Sequence, residues 1–149
     1  MRKRFKISPS PGENFFWAYV FDTHREMHKW YSRYLSKNYI WAGSNYSVNE
    51  DQSDFSAMVM PYQRVSIEGE NEVPQRDIGI VILNREALGI GVIAHEMTHC
   101  ALWHDRLING NHNAEYGLHS CESEERLAYL IGDYTRCFVD KAYKLNLFA

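Results

Sequence analysis

Cysteine, long apolar runs and surplus charge are all scarce in this chain of 149 residues, and each scarcity excludes a class of protein. Cysteine occurs three times, at Cys100, Cys121 and Cys137, with no Cys-x-x-Cys spacing. An odd, scattered set is not a disulfide framework, and reduced thiols are the expectation. The longest aliphatic run, Ile78 to Leu83, is far too short to span a membrane, so no membrane partner is expected. Sixteen Lys and Arg against nineteen Asp and Glu leave a net charge of −3. Nucleic-acid binders usually carry a basic patch or stripe, so no nucleic-acid partner is expected either. The one basic cluster, Arg2, Lys3, Arg4 and Lys6, reads as a solvated tail. It runs into Ser8-Pro9-Ser10-Pro11-Gly12 rather than an apolar stretch, so no secretory signal is visible. A cytoplasmic protein is expected, bacterial or from a bacteriophage; in the second case the cytoplasm is the host's. No repeat or low-complexity block occurs, and no feature specifies an oligomeric state.

What is present is core-forming material: 45% hydrophobic and 14% aromatic residues, with 23% charged. That suits one domain over residues 1–149, with 1–13 as a loose N-terminal arm. Phe15 to Phe21 is aromatic and β-branched enough for a strand. Asp22 or Thr23 then caps a helix, Thr23 and Glu26 matching a capping box. Met27, Trp30, Tyr31, Tyr34 and Leu35 give that helix one apolar face as far as about Lys37. Residues 42–54 are polar and read as a loop. Phe55 to Arg64 reads as a strand that Pro61 marks as an edge or an end. Residues 66–77 are polar again. Asp77 to Asn84 is a strand, followed by a helix from about Arg85 to Trp103. Gly89 and Gly91 weaken that helix's propensity and suggest close packing against a neighbour. Residues 105–119 read as a loop, and Cys121 to about Lys144 as a last helix with Leu127, Leu130, Ile131, Tyr134, Phe138 and Val139 inward. This order predicts an α+β domain with a small, mostly antiparallel sheet.

The chemistry centres on His95-Glu96-Met97-Thr98-His99. Residues four apart on a helix lie one turn apart on one face, so two imidazoles can meet one metal ion. Zinc accepts imidazole nitrogen, favours four ligands, and in catalytic sites keeps one position for water. Glu96, beside the first ligand, can reach that water and act as general base. The pattern arises by chance in about two or three of a hundred chains of this His and Glu content. Ile90, Val92, Ile93, Ala94, Met97 and Leu102 make the helix read as buried, and burying unpaired polar groups is costly. The bland alternative is a hydrogen-bonded core histidine pair without metal.

A third ligand is needed. Asp105 has the spacing of a local third ligand, but Leu102 stands where such sites need a turning glycine, and His104 falls one residue short of the three-histidine spacing. Glu122, Glu124 and Glu125 cluster at the start of the last helix. Acidic residues belong in a first turn because of the helix dipole, which accounts for some of them without a site. Periodicity leaves Glu124 and Glu125 both open. HExxH with a downstream Glu-x-x-Ala, here Glu125-Arg126-Leu127-Ala128, resembles the gluzincin class of metallopeptidases. At this length it is similar to the minigluzincin, SprT-like and ImmA/IrrE-type domains, over residues 78–134 and by element order before them. The resemblance implies a zincin-like fold: a small sheet packed against the HExxH helix, and a second helix supplying the third ligand, Glu125. It implies Zn2+ as cofactor and a peptide or protein substrate hydrolysed with Glu96 as base. Tyr129 stands where these families often have an Asp that orients a ligand histidine, and Asp133 is the substitute. Tyr129 or His119, with His112 nearby, would stabilise the tetrahedral intermediate. The strand before the motif helix, 78–83, would be the sheet edge that binds substrate by strand addition. The alternative is a non-catalytic zinc-binding regulatory or interaction module on the same fold.

Overall fold

In the strand Asp77–Asn84 all eight residues are buried, which requires cover on both faces and a neighbour on each side. The computed structural model describes residues 2–38, 55–110 and 121–148. Its elements are β1 (Arg2–Ile7), β2 (Phe15–Phe21), α1 (His24–Asn38), β3 (Ala57–Pro61), β4 (Val65–Glu68), β5 (Asn71–Pro74), β6 (Asp77–Asn84), α2 (Ile90–Ile108) and α3 (Cys121–Lys144). The main sheet has the order β1-β2-β6-β3. β1 and β3 run antiparallel to their neighbours, while β2 and β6 are parallel. The protein is therefore α+β with three helices and a small mixed sheet, in which two of the three pairings are antiparallel and one is parallel. A parallel pair needs a crossover connection, and α1 lies within the one that joins β2 to β6.

Alternation along β2 sends its side chains to two cores. Phe16, Ala18 and Val20 join Ile78, Val81 and Leu83 beneath Ile93, Met97, Cys100 and Ala101 of α2 and Leu127, Leu130, Tyr134 and Phe138 of α3. Trp17, Tyr19 and Phe21 join Ile80, Ile82 and Met60 against Met27, Trp30, Tyr31 and Tyr34 of α1. The apolar stripes expected for α1 and α3 are thus the ones they bury. Thr23 accepts the Glu26 N–H at 3.2 Å, as a cap should.

Four expectations need correction. The basic N-terminal stretch is the edge strand β1, not a loose arm. Arg2, Arg4 and Lys6 lie over the rings of Tyr19, Trp17 and Phe15, while Ile7 is fully buried. The polar stretch 66–77 holds most of a β4–β5 hairpin. Gly69, at φ +66, opens its two-residue turn as a II′ hairpin requires. The motif helix does not begin at Arg85: a 3-10 turn at Arg85–Ala87 is capped by Asn84, and α2 starts after Gly89 and runs on to Ile108. Gly89 and Gly91 have nothing within 4 Å of where a Cβ would stand, so they mediate no close packing. The expected loop over 42–54, and residues 111–119 of the expected 105–119 loop, lie outside the described residues. Cys100 and Cys137 are free thiols. Among the described residues no helix is long and apolar enough to cross a membrane.

Gly79 is the tightest point of the sheet. A Cβ there would stand 2.4 Å from Phe16 Cε1 and 3.0 Å from the Met60 carbonyl oxygen. Both obstacles belong to neighbouring strands and cannot swing away. Gly79→Ala is expected to cost about 1–3 kcal/mol of stability, as overpacked cores do. A urea melt should show a lower midpoint with an unchanged slope; an unchanged midpoint would contradict this packing.

Candidate metal centre

The motif helix is amphipathic rather than buried throughout. Ile93, Glu96, Met97, Cys100, Ala101, His104 and Asp105 face the protein, while Ile90, His95 and His99 are exposed. The burial argument for a metal therefore fails for the two histidines and holds only for Glu96. Trp103 anchors the middle of α2, its indole N–H donating to the Ile78 carbonyl at 2.8 Å. Thr98 bonds back to the Ala94 carbonyl at 2.7 Å and so leaves its hydroxyl satisfied within the helix.

His95 and His99 converge: their Nε2 atoms are 3.2 Å apart. Two nitrogens on one tetrahedral zinc lie about 3.3 Å apart, so the pair has the spacing of two ligands to a single ion. The same distance also suits an N–H···N hydrogen bond. Glu96 Oε1 lies 4.0 Å from His95 Nε2, and its side chain is only 8% exposed. Burial raises the Glu96 carboxyl above its ordinary value, and His95 partly opposes this. Desolvation against the protein and then the charge of His95 lower His99, favouring the neutral ring that a metal needs.

These three residues line a cleft whose opposite wall is β3, with Leu102 and Trp103 extending the α2 side. The sheet edge at the site is therefore β3, not residues 78–83. β6 is paired on both sides and has no free edge to offer a peptide. The Tyr62 N–H donates to the Ile78 carbonyl at 3.1 Å, which fixes the ladder's phase. Met58 and Met60 pair with β6, so Ala57, Val59 and Pro61 turn their backbone polar groups outward at the edge. Pro61 sacrifices no ladder bond there and is the sequence signal for this edge.

The remaining sequence candidates are dispersed. Among the described residues no group of three His, Cys, Asp or Glu side chains is gathered as a metal site. Glu122, Glu124 and Glu125 are exposed at the start of α3, and Tyr129 is 67% exposed and outside the cleft lining. His119 and His112 lie outside the described residues. Asp133 pairs with Arg136 at 3.1 Å rather than with either motif histidine. Asp105, fully buried, accepts from Arg126 at 2.8 Å and from the Asn109 amide at 2.8 Å. In the Glu125-Arg126-Leu127-Ala128 stretch it is thus Arg126 that reaches α2. Because the helix continues past Leu102, Asp105 is carried to the α3 side. A second histidine pair passed over in the sequence, His24 and His28 on α1, points both Nε2 atoms at the Phe55 carbonyl, each at 3.1 Å.

Comparison with protein-family models, curated proteins and solved structures finds no match to this chain.

His104, one turn beyond the cleft, contacts the Tyr134 hydroxyl at 2.8 Å through Nδ1. Burial lowers its pKa from 6.5, against the opposing pull of Glu13 and Asp105. A base with a depressed folded pKa binds fewer protons folded than unfolded, so its contribution is complete above pH 6.5 and is lost as pH falls below it. The urea midpoint should be lower at pH 5.5 than at pH 8, and His104→Asn should narrow that difference. An equal difference in the variant would remove His104 as a source.

Proposed function

We propose that this protein is a zinc-dependent metallopeptidase of zincin-like design, acting on a peptide or protein substrate in the cytoplasm. The observation that carries the reading is the His95–His99 pair at 3.2 Å beside Glu96, in a cleft walled by β3, whose outer edge has no strand partner among the described residues. The donor set fits zinc: two imidazoles at ligand spacing, with a carboxylate close by. His95 and His99 would hold the zinc ion, which when bound would supply Lewis acidity toward a carbonyl and a water molecule. Glu96 takes the proton of the attacking water on its carboxylate and returns it to the leaving amine nitrogen. The outward N–H and C=O groups of Ala57 and Val59 hold the substrate extended, as an added strand. The gluzincin resemblance would make Glu125 the third donor and Tyr129 or His119 the stabiliser of the intermediate; Glu125 and Tyr129 stand exposed on α3 outside the cleft lining, so these roles rest on the resemblance alone.

Zinc content and turnover separate these roles. Glu96→Gln should retain bound zinc while peptide cleavage falls by at least about a hundredfold, the scale of a lost general base. His95→Ala or His99→Ala should lose the metal itself. Glu125→Gln should weaken zinc binding; unchanged affinity would strike Glu125 from the ligand set. Full cleavage by Glu96→Gln would refute its role as base. Stoichiometric zinc in a wild-type protein that cuts no peptide would favour the non-catalytic module.

The edge strand has its own test. Val59→Pro removes an outward N–H without breaking the β3–β6 ladder. It should raise KM for a peptide by roughly tenfold, the worth of about one hydrogen bond, with zinc content unchanged. An unaltered KM would mean that substrate does not pair with β3.

A further inference from the structure

The net charge of −3 conceals a strong asymmetry. Residues 1–38 hold eight Lys and Arg against three Asp and Glu; the rest of the chain holds eight against sixteen. In the fold five of these cations, Arg2, Arg4, Lys6, Lys29 and Arg33, gather on the sheet face that α1 packs against, at the β1 end. The cleft of His95 and His99 opens at the opposite edge, beside β3. The β1–β2 register puts Arg2, Arg4 and Lys6 on the side of Phe21, Tyr19 and Trp17. Arg4 lies 4.5 Å from the Trp17 ring centre, Arg2 5.3 Å from that of Tyr19, and Lys6 4.5 Å from that of Phe15.

The rings continue onto α1. Tyr19 stacks on Trp30 at 5.0 Å and Trp30 on Tyr34 at 5.1 Å. These aromatics are partly exposed. Beyond them a shallow groove between β1 and α1 is lined by Arg2, Lys29 and Arg33, with Phe21, Trp30 and one carboxylate, Glu26, also in its walls. Cations therefore flank a run of stacked rings on two sides.

We propose that this face binds single-stranded nucleic acid without sequence preference. Phosphates need exposed cations, which Lys29, Arg33 and the β1 residues supply. Unpaired bases need planar surface to stack on: Trp17, Tyr19 and Trp30 are partly exposed, and the guanidinium groups of Arg2 and Arg4 over these rings offer the outer surface of the stack. A duplex conceals its base faces and makes no use of the rings. An anionic membrane would take the cations but needs apolar side chains free to insert, whereas these rings pack on one another and on the sheet. Sequence tolerance follows because stacking reads no hydrogen-bond edge. The proposal is independent of the zinc reading, since no residue is shared.

The test is fluorescence anisotropy of labelled dT20 and rU20 with the full chain, alongside an abasic strand of equal charge and phosphatidylserine vesicles. Saturable binding to the strands is expected, with quenching of tryptophan emission. Affinity should be at least tenfold above that of the abasic strand and fall at least tenfold between 50 and 300 mM salt. Lys29→Glu with Arg33→Glu should reduce it at least tenfold; Arg4→Gln, on the exposed edge strand, is the second variant should the first fail to fold. No binding to either strand would overturn the proposal. So would equal affinity for the abasic strand, binding to vesicles alone, or charge variants that bind as wild type.

Discussion

β6 has no side that water can reach, and the arrangement of every other element follows from that. A fully buried strand needs a partner on each edge and a layer over each face. β2 and β3 take the edges, α1 covers one face, and α2 and α3 cover the other. The chain leaves β6 through the Asn84-capped 3-10 turn and enters α2 directly, so α2 must cross the sheet close to β6. Trp103 then ties it to the Ile78 carbonyl. With β6 central, the edge available to the outer side of α2 is β3.

That placement divides α2 by function. One side is packing: Ile93, Met97, Cys100 and Ala101 meet the sheet and α3. Its C-terminal end is locked by polar contacts, Asp105 with Arg126 and His104 with Tyr134. The rigid side holds Glu96 at the boundary between core and cleft, and the exposed side presents His95 and His99 toward solvent. Two histidines on a solvated helix face cost nothing to keep, so their spacing and their neighbour, rather than their burial, are what mark them. The contrast with His24 and His28 is instructive. The same i, i+4 spacing there serves a backbone carbonyl.

The two ends of the sheet differ in charge and in chemistry. At the β3 end the cleft joins the histidine pair to an edge without a strand partner among the described residues. At the β1 end the edge strand is covered on one face by α3, through Phe5 against Phe138, and carries cations over rings on the other. Lysine and arginine on an edge strand also discourage pairing with a second chain. A single net-charge figure averages these ends away.

β2, β6, α1 and α3 are legible in the sequence, because the two helices have a clear period with one apolar face and the two strands are runs of β-branched, aliphatic and aromatic residues. The sequence by itself also determined that His95, Glu96 and His99 share one stretch of helix. It missed the strand character of residues 2–7 because their outward cations are indistinguishable from a tail until the rings of β2 lie beside them. It missed the β4–β5 hairpin because its alternation is polar. It misjudged how deeply α2 is buried because Ile90, which is exposed, counted toward the core face, and Val92 and Leu102 are only partly covered. Only the tertiary structure decided which strand is the edge, since strand order depends on the crossover through α1 and not on local pattern. It likewise decided that Arg126 rather than Glu125 faces α2, because the rotation of α3 is set by Tyr134 and Phe138 in the core.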